Sequence, residues 1–270
     1  MPLPSGVALN RTAVRRRSDA DTALALVGER PAGFYAMRTV EMREPNSVKA
    51  RAARRTVTTL LVLAALLFVP GSFRFWQGWL FFLLMAGFWT FFFIDLLKSD
   101  PGLLERRLQK QETEPEQKLF QRLFSLITFP AFILAGLDFR FGWTRQRFAE
   151  VPLTVVVAAQ IVVVAGYWLV FWVMKTNTFA AGTIQVEIGQ TVISSGPYAR
   201  VRHPMYTGMA LTALAIPLAL GSYVTLPVFA LMVPVLVYRL VHEEKTLRRN
   251  LPGYTEYCRR TRFRLVPWVW

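Results

Sequence analysis

The sequence predicts an all-α fold, a polytopic integral membrane bundle of about five to six transmembrane helices. Three observations lead there. Hydrophobic residues make up 53% of the 270 and the mean hydropathy is +0.33, more apolar than an ordinary soluble domain. Six apolar runs, near residues 56–71, 75–97, 119–138, 152–174, 205–220 and 223–241, approach the roughly 20 residues that a helix needs to cross a hydrocarbon core. The cations fall between these runs: with the N-terminus in the cytoplasm, only Arg74, Arg140, Arg145 and Arg147 of the 32 Lys and Arg lie on the far side, the asymmetry of the positive-inside rule. Both termini are therefore expected in the cytoplasm. The net charge of +15 is a topology signal and not a nucleic-acid footprint, because the basic residues form no continuous soluble face.

Taken in order, residues 1–50 mix Pro, Gly, Ser, Arg and Asp without a sustained apolar period, which predicts a basic, poorly ordered N-terminal extension. Met37 and Met42 are alternative starts to Met1, and no secretory signal pattern is present. The first four transmembrane helices are expected within 51–174. The clearest, FWQGWLFFLLMAGFWTFFFIDLL, holds a single acid, Asp95, close to its end, whereas the first and fifth runs are short. Between the second and third runs, KSDPGLLERRLQKQETEPEQK at 98–118 reads as an amphipathic loop. Asp100, Pro101 and Gly102 open a short helix there, and Leu103, Leu104 and Leu108 give it a stripe for the membrane surface. FRFGWTRQRFAEVP at 139–152 is an aromatic, basic connector suited to the bilayer interface, with no chemistry of its own.

From Lys175 the character changes, and 175–270 forms a separate C-terminal core. KTNTFAAGTIQVEIGQTVISSGPYARVRHP is too polar to span, and alternation at Ile184, Val186, Ile188, Val192 and Ile193 suggests short extended pieces. A loop of about thirty residues exceeds what a connection requires and points to function. Pro204 forces His203 out of the helical region and suits a first helical turn, so a helix should start there. Gly196 and Pro197 turn the chain just upstream. The helix start offers unpaired amide donors to an anionic group, with Tyr198, Arg202, His203 and Tyr206 around it. Taken singly, the arginines also suit lipid phosphates and the tyrosines an interfacial belt.

The second constellation is YRLVHEEKTLRRNLPGYTEYCRRTRFRLVP, residues 238–267. Arg239 and Glu243 are one helical turn apart and share a face. Arg placed N-terminal to Glu is the weaker orientation for a helix ion pair, so helix stabilisation accounts poorly for two adjacent acids, Glu243 and Glu244, in an otherwise basic region. Pro252 and Gly253 break the chain, and Tyr254 and Tyr257 resume a short amphipathic helix in a tail able to fold back over the 177–203 loop. The single Cys258 excludes an intramolecular disulfide, has no neighbours for a zinc site, and reads as an inert surface cysteine. No metal site is expected.

Together GPYARVRHPMYTG at 196–208 and RLVHEE at 239–244, followed by LPGYTEYCRR and LVP, resemble the isoprenylcysteine carboxyl methyltransferase family of integral membrane enzymes. The resemblance covers about residues 175–267. Phospholipid N-methyltransferases and the C-terminal part of membrane sterol reductases share a looser version of it. It implies a cytoplasmic pocket, formed by the last helices, the polar loop and the C-terminal tail, that holds S-adenosyl-L-methionine while a lipophilic acceptor approaches through the membrane. By residue-for-residue match, Gln190, Thr191, Val192, Ile193, Tyr198, His203, Pro204, Met205, Tyr206 and Glu243 would contact the cofactor. Arg239 would orient the acceptor. For a carboxylate acceptor its bidentate fork suffices, while an amine or thiol needs a base, for which Glu244 and His203 are the candidates.

The reading that follows is a multi-pass membrane methyltransferase with its active site in the cytoplasm, acting on a lipophilic acceptor, most like a prenylcysteine-type carboxylate. Membrane lipids are its expected surroundings, with no nucleic acid and no obligate protein partner. A phospholipid amine or a small thiol fits the same pocket chemistry. Two readings of other classes stand beside it, a sterol-type NADPH reductase and a non-catalytic lipid-binding membrane protein. No Gly-rich loop follows a strand, which excludes a soluble Rossmann methyltransferase.

Overall fold

In the computed structural model, residues 45–99, 104, 115–179 and 189–270 are described. Among them the chain is helical, without a strand. The long helices are α1 (Pro45–Phe68), α2 (Trp76–Ser99), α3 (Pro115–Phe141), α5 (Leu153–Thr176), α6 (Pro204–Ala219) and α8 (Met232–Asn250). Short helices α4 (Trp143–Arg147), α7 (Leu226–Ala230) and α9 (Tyr254–Arg260) connect or extend them, and Gly196–Ala199 forms a 3-10 turn.

Among the described residues, four segments are long and apolar enough to cross a membrane: Trp76–Ser99, Lys118–Phe141, Leu153–Thr176 and Leu226–Asn250. At about 1.5 Å per residue, a 24-residue helix reaches roughly 36 Å, enough for a hydrocarbon core of about 30 Å. The first and fifth runs depart from this pattern. Helix α1 starts at Pro45, upstream of the expected span, and carries Lys49, Arg51, Arg54 and Arg55 in its first half. The disorder expected to residue 50 therefore does not extend over 45–50, and residues 1–44 lie outside the described residues. The expected loop helix over 98–118 also falls largely outside them. Its Leu104 is described, helical and buried against Phe92, Leu96 and Phe171. The extended pieces at Ile184, Val186 and Ile188 lie outside as well, while Val192 and Ile193 are irregular.

The bundle has a membrane protein's inverted surface. Leu61, Leu83, Ile161 and Trp168 point outward, where lipid is the solvent, and Phe75, Phe81, Met85, Phe132, Val163, Ile216 and Phe229 fill the centre. Helices α5 and α6 form its most extensive pairing. Small residues permit this: a Cβ on Gly166 would lie 2.9 Å from the Gly208 carbonyl oxygen, and one on Gly208 would lie 2.7 Å from that of Gly166. Backbones that approach so closely pack by dispersion, the main attraction left between helices in lipid.

Helix α6 has only 16 residues, and its end at Ala219 and Leu220 is buried. Gln160 of α5, buried, donates from Nε2 to the Ala219 carbonyl at 3.0 Å, supplying a partner that a helix end otherwise lacks. Beyond it the chain turns through Gly221 (φ 69°) into a polar knot. Buried Asp138 of α3 accepts the Thr144 N–H at 2.7 Å and the hydroxyls of Thr144 and Ser222, and the Thr144 oxygen accepts the Tyr223 N–H at 3.0 Å. The aromatic connector is thus tied to the α6–α7 turn. With its far end pinned, α6 presents its N-terminus at the other end of the bundle.

Candidate active site

Pro204 opens α6 as N1, and His203 is its N-cap with φ −127° and ψ 60°. Pro at that position needs no hydrogen bond and is pre-set for the helix, while it drives the preceding residue out of it. The N–H groups of Met205 and Tyr206 lie in this first turn, beyond reach of any intrahelical carbonyl.

The C-terminal tail straps this helix start in place. After α9, residues 262–265 run alongside the loop: the N–H groups of Arg202 and His203 donate to the carbonyls of Phe263 at 2.9 Å and Arg264 at 3.0 Å. Thr207 Oγ1 donates to the Leu265 carbonyl at 2.7 Å, and Arg202 Nη2 to that of Arg262 at 3.1 Å. The expected fold-back of the tail is therefore found. The resumed helix ends at Arg260, so an extended strap, and not the helix, makes these bonds.

Between loop, α6, α8 and α9 lies a cavity. Its wall includes Gln190, Thr191, Val192, Ile193, Tyr198, His203, Pro204, Met205, Tyr206, Arg239 and Glu243. Every residue that the resemblance assigned to the cofactor is thus brought to one space, together with Arg239. On α8, Glu243 Oε2 accepts the Tyr206 hydroxyl proton, and Arg239 also engages that hydroxyl. The Arg239 guanidinium lies 4.3 Å from the centre of the Phe120 ring, a cation–π distance. Phe120 and Tyr206 belong to an apolar cluster with Leu236, Leu240 and Leu265, so Arg239 marks the border between polar cavity and apolar interior.

Glu244 is placed otherwise than expected of a base. It is absent from the cavity wall and buried behind it, where Oε1 pairs with Arg202 Nη1 at 2.8 Å and Oε2 with Arg264 Nε at 3.1 Å. His203 Nε2 is 3.4 Å from the same carboxylate. The physical reason is helical: consecutive residues differ by about 100°, so when Glu243 faces the cavity Glu244 faces the tail. Glu244 thereby holds loop, tail and His203 to α8.

The sequence reading missed part of the wall. Asn177, Phe179, Thr246, Leu247, Leu251, Tyr254 and Tyr257 also line the cavity. Thr246 and Leu247 follow Glu243 at helical spacing, a signal that was present. Asn177 Nδ2 donates to the Tyr198 hydroxyl at 3.1 Å, and the Tyr257 hydroxyl donates to the Tyr198 carbonyl at 2.8 Å. Burial pushes the phenol of Tyr254 up, with the charge of Glu244 adding to it, and burial also raises Tyr257, next to Tyr198. Both stay protonated donors at neutral pH. Gly253 holds φ 82° at the start of α9, a backbone that favours glycine. Cys258 is half-buried against the Tyr254–Tyr257 cluster.

Comparison with known proteins bears on the same segment. Residues 154–252 match the model of the phospholipid methyltransferase family. The match takes in α5, the cavity loop, α6 and α8, and it supports a membrane methyltransferase. A second similarity is to a Delta(14)-sterol reductase of Mus musculus, 34% identical over 91 residues, which are 33% of this chain and 22% of that protein. The matched segment thus spans about a fifth of that reductase's length.

Proposed function

We propose that the protein is an integral membrane methyltransferase that takes its methyl group from S-adenosyl-L-methionine and delivers it to a lipophilic acceptor. One observation carries this: the two separate motifs, at 190–206 and 239–243, line one cavity at a helix start that borders the apolar interior. The match to the phospholipid methyltransferase family supports it.

The donor set suits a zwitterionic nucleoside cofactor. The first-turn amides of α6 suit a carboxylate, Glu243 suits an ammonium or ribose hydroxyl, and Tyr198, Tyr254 and Tyr257 with Leu247 and Leu251 offer faces for an aromatic base. When bound, the cofactor supplies an electrophilic methyl on a sulfonium. The chain's own task is then alignment and exclusion of water. Tyr206, fixed by Glu243 and Arg239, holds the α6–α8 wall. Arg239 grips the polar head of the acceptor, whose apolar body stays on the membrane side of the packed Phe120 cluster. Glu244 positions His203 and touches neither reactant.

The acceptor follows from which group serves as base. A carboxylate of the prenylcysteine type needs orientation alone, and the guanidinium fork of Arg239 provides it. A phospholipid amine or a thiol needs proton removal, and His203, backed by Glu244, is then the group on the wall that does it. Transfer of labelled methyl from S-adenosyl-L-methionine into a lipid extract tests this. Base-labile label in an ester marks a carboxylate acceptor and base-stable label a phospholipid amine. Absence of transfer to lipid, amine or thiol acceptors contradicts the proposal.

A second reading has the reductase similarity behind it. A sterol-type reductase would bind NADPH in the same cavity, with Arg202 or Arg239 toward its phosphates. Arg202 is already paired with Glu244, which favours the methyltransferase. Both readings place the active end of the bundle, with the termini, in the cytoplasm by the distribution of Lys and Arg.

A further inference from the structure

The strap continues into a closed turn over residues 263–270, whose last residues, 266–270, serve none of the functions above. The N–H groups of Arg264, Leu265 and Val266 all donate to the Trp270 carbonyl, at 2.8, 3.0 and 3.2 Å, and Trp270 N–H returns to the Val266 carbonyl at 3.1 Å. This closed turn projects apolar side chains outward: Trp268 is 88% exposed, Val269 77% and Val266 46%. Trp268 sits at φ 63°, a left-handed backbone uncommon for a bulky residue, and its ring lies 6.3 Å from that of Phe263. The Arg264 guanidinium lies 5.1 Å from the Trp270 ring. The turn is internally well bonded, yet its largest apolar groups have no protein to cover them.

The level of the turn in the bundle says what covers them. Leu265 packs with Phe120, Tyr206, Leu236 and Leu240, and its carbonyl binds Thr207 in the first turn of α6. The turn therefore lies level with the ends of the membrane helices, where Trp is favoured. The preceding segment is basic: Arg259, Arg260 and Arg262 are exposed, against Glu256, which pairs with the first two at 3.4 Å. Exposed aromatics beside surplus cations match an anionic lipid surface.

We propose that the 263–270 turn is a docking element for the anionic membrane surface, and that docking steadies the cavity wall through the strap. The link is physical: the backbone that carries Trp268 and Val269 is continuous with Phe263, Arg264 and Leu265, which hold Arg202, His203 and Thr207. A change in how the turn sits must reach the start of α6. The membrane contact stands on the turn alone, while the effect on the cavity rests on the cofactor reading above.

The test uses the full chain in lipid nanodiscs, either neutral phosphatidylcholine or phosphatidylcholine with phosphatidylglycerol. Two readouts separate the two parts. Quenching of Trp268 by brominated acyl chains, taken as the difference between wild type and Trp268→Phe, reports the contact. Calorimetric titration with S-adenosylhomocysteine reports the cavity. Trp268 is expected to be quenched, and binding to be tighter by at least about threefold in anionic discs, as a few cations near such a surface allow. Trp268→Ser with Val269→Ser should remove that lipid dependence and leave affinity in neutral discs unchanged. An unquenched Trp268, whether open to water or covered by a second copy in a dimer, overturns the proposal, as does wild-type affinity that is equal in both lipids. Quenching without any S-adenosylhomocysteine binding upholds the contact and overturns the cofactor reading instead.

Discussion

Two buried carboxylates sit at opposite ends of α6 and differ in their company. Asp138 is ringed by neutral donors, the Thr144 N–H and the hydroxyls of Thr144 and Ser222. Glu244 is ringed by Arg202, Arg264 and His203. Both tie turns together, but their second partners diverge. The donors around Asp138 lead to further backbone in the α6–α7 turn, and Asp138 and Thr144 border a recess with Gln77, Arg145 and Glu150 that neither sequence motif enters. Those around Glu244 include Arg202 and His203, whose other edges line the cavity. Burial and hydrogen bonding alone do not separate a fold staple from a site staple; what separates them is whether the bonded groups also face the cavity where the two motifs meet.

The sharpest way to break this comparison is to remove each acid. Glu244→Ala leaves two guanidiniums without their anion, and a loss of about 3–5 kcal/mol is expected for a broken buried pair. Thermal unfolding in detergent measures it, and S-adenosylhomocysteine affinity should fall in the same variant. Arg239→Ala comes next. Methyl transfer should drop about a hundredfold if the acceptor loses its alignment, with S-adenosylhomocysteine affinity nearly kept, a split read by steady-state kinetics beside calorimetry. Asp138→Asn should cost about 1–3 kcal/mol, as for a buried hydrogen-bonded group left partly unpaired, and leave ligand affinity where it was. If Asp138→Asn weakens binding as strongly as Glu244→Ala, the distinction between the two ends fails. The smallest effect belongs to Cys258→Ser, within about 0.5 kcal/mol, with binding unaffected by thiol reagents.

The sequence made some of this legible and hid the rest for reasons that can be named. The spans over α2, α3 and α5 were plain because bilayer thickness imposes a length on apolar runs. The start of α6 was plain because proline constrains its neighbours locally. The start of α1 at Pro45 was not, since a basic first half masks the apolar period. That Arg239 and Glu243 share a face follows from helix geometry, but which of Glu243 and Glu244 turns to the cavity depends on the tail that packs against α8. The contacts of Phe120 with Arg239, of Arg264 with Glu244 and of Gly166 with Gly208 join residues far apart in the chain. No local pattern announces such pairs.

The same comparison says where a ligand belongs. It belongs at the Glu244 end, against Glu243 and the first turn of α6, and not in the Asp138 knot. Calorimetric titration of the detergent-purified protein with S-adenosylhomocysteine, and separately with NADPH, tests this most directly. Saturable binding of S-adenosylhomocysteine at one site per chain is expected, abolished by Glu243→Ala and untouched by Asp138→Asn, with no heat from NADPH. Silence toward S-adenosylhomocysteine, or saturable binding of NADPH in its place, would contradict it.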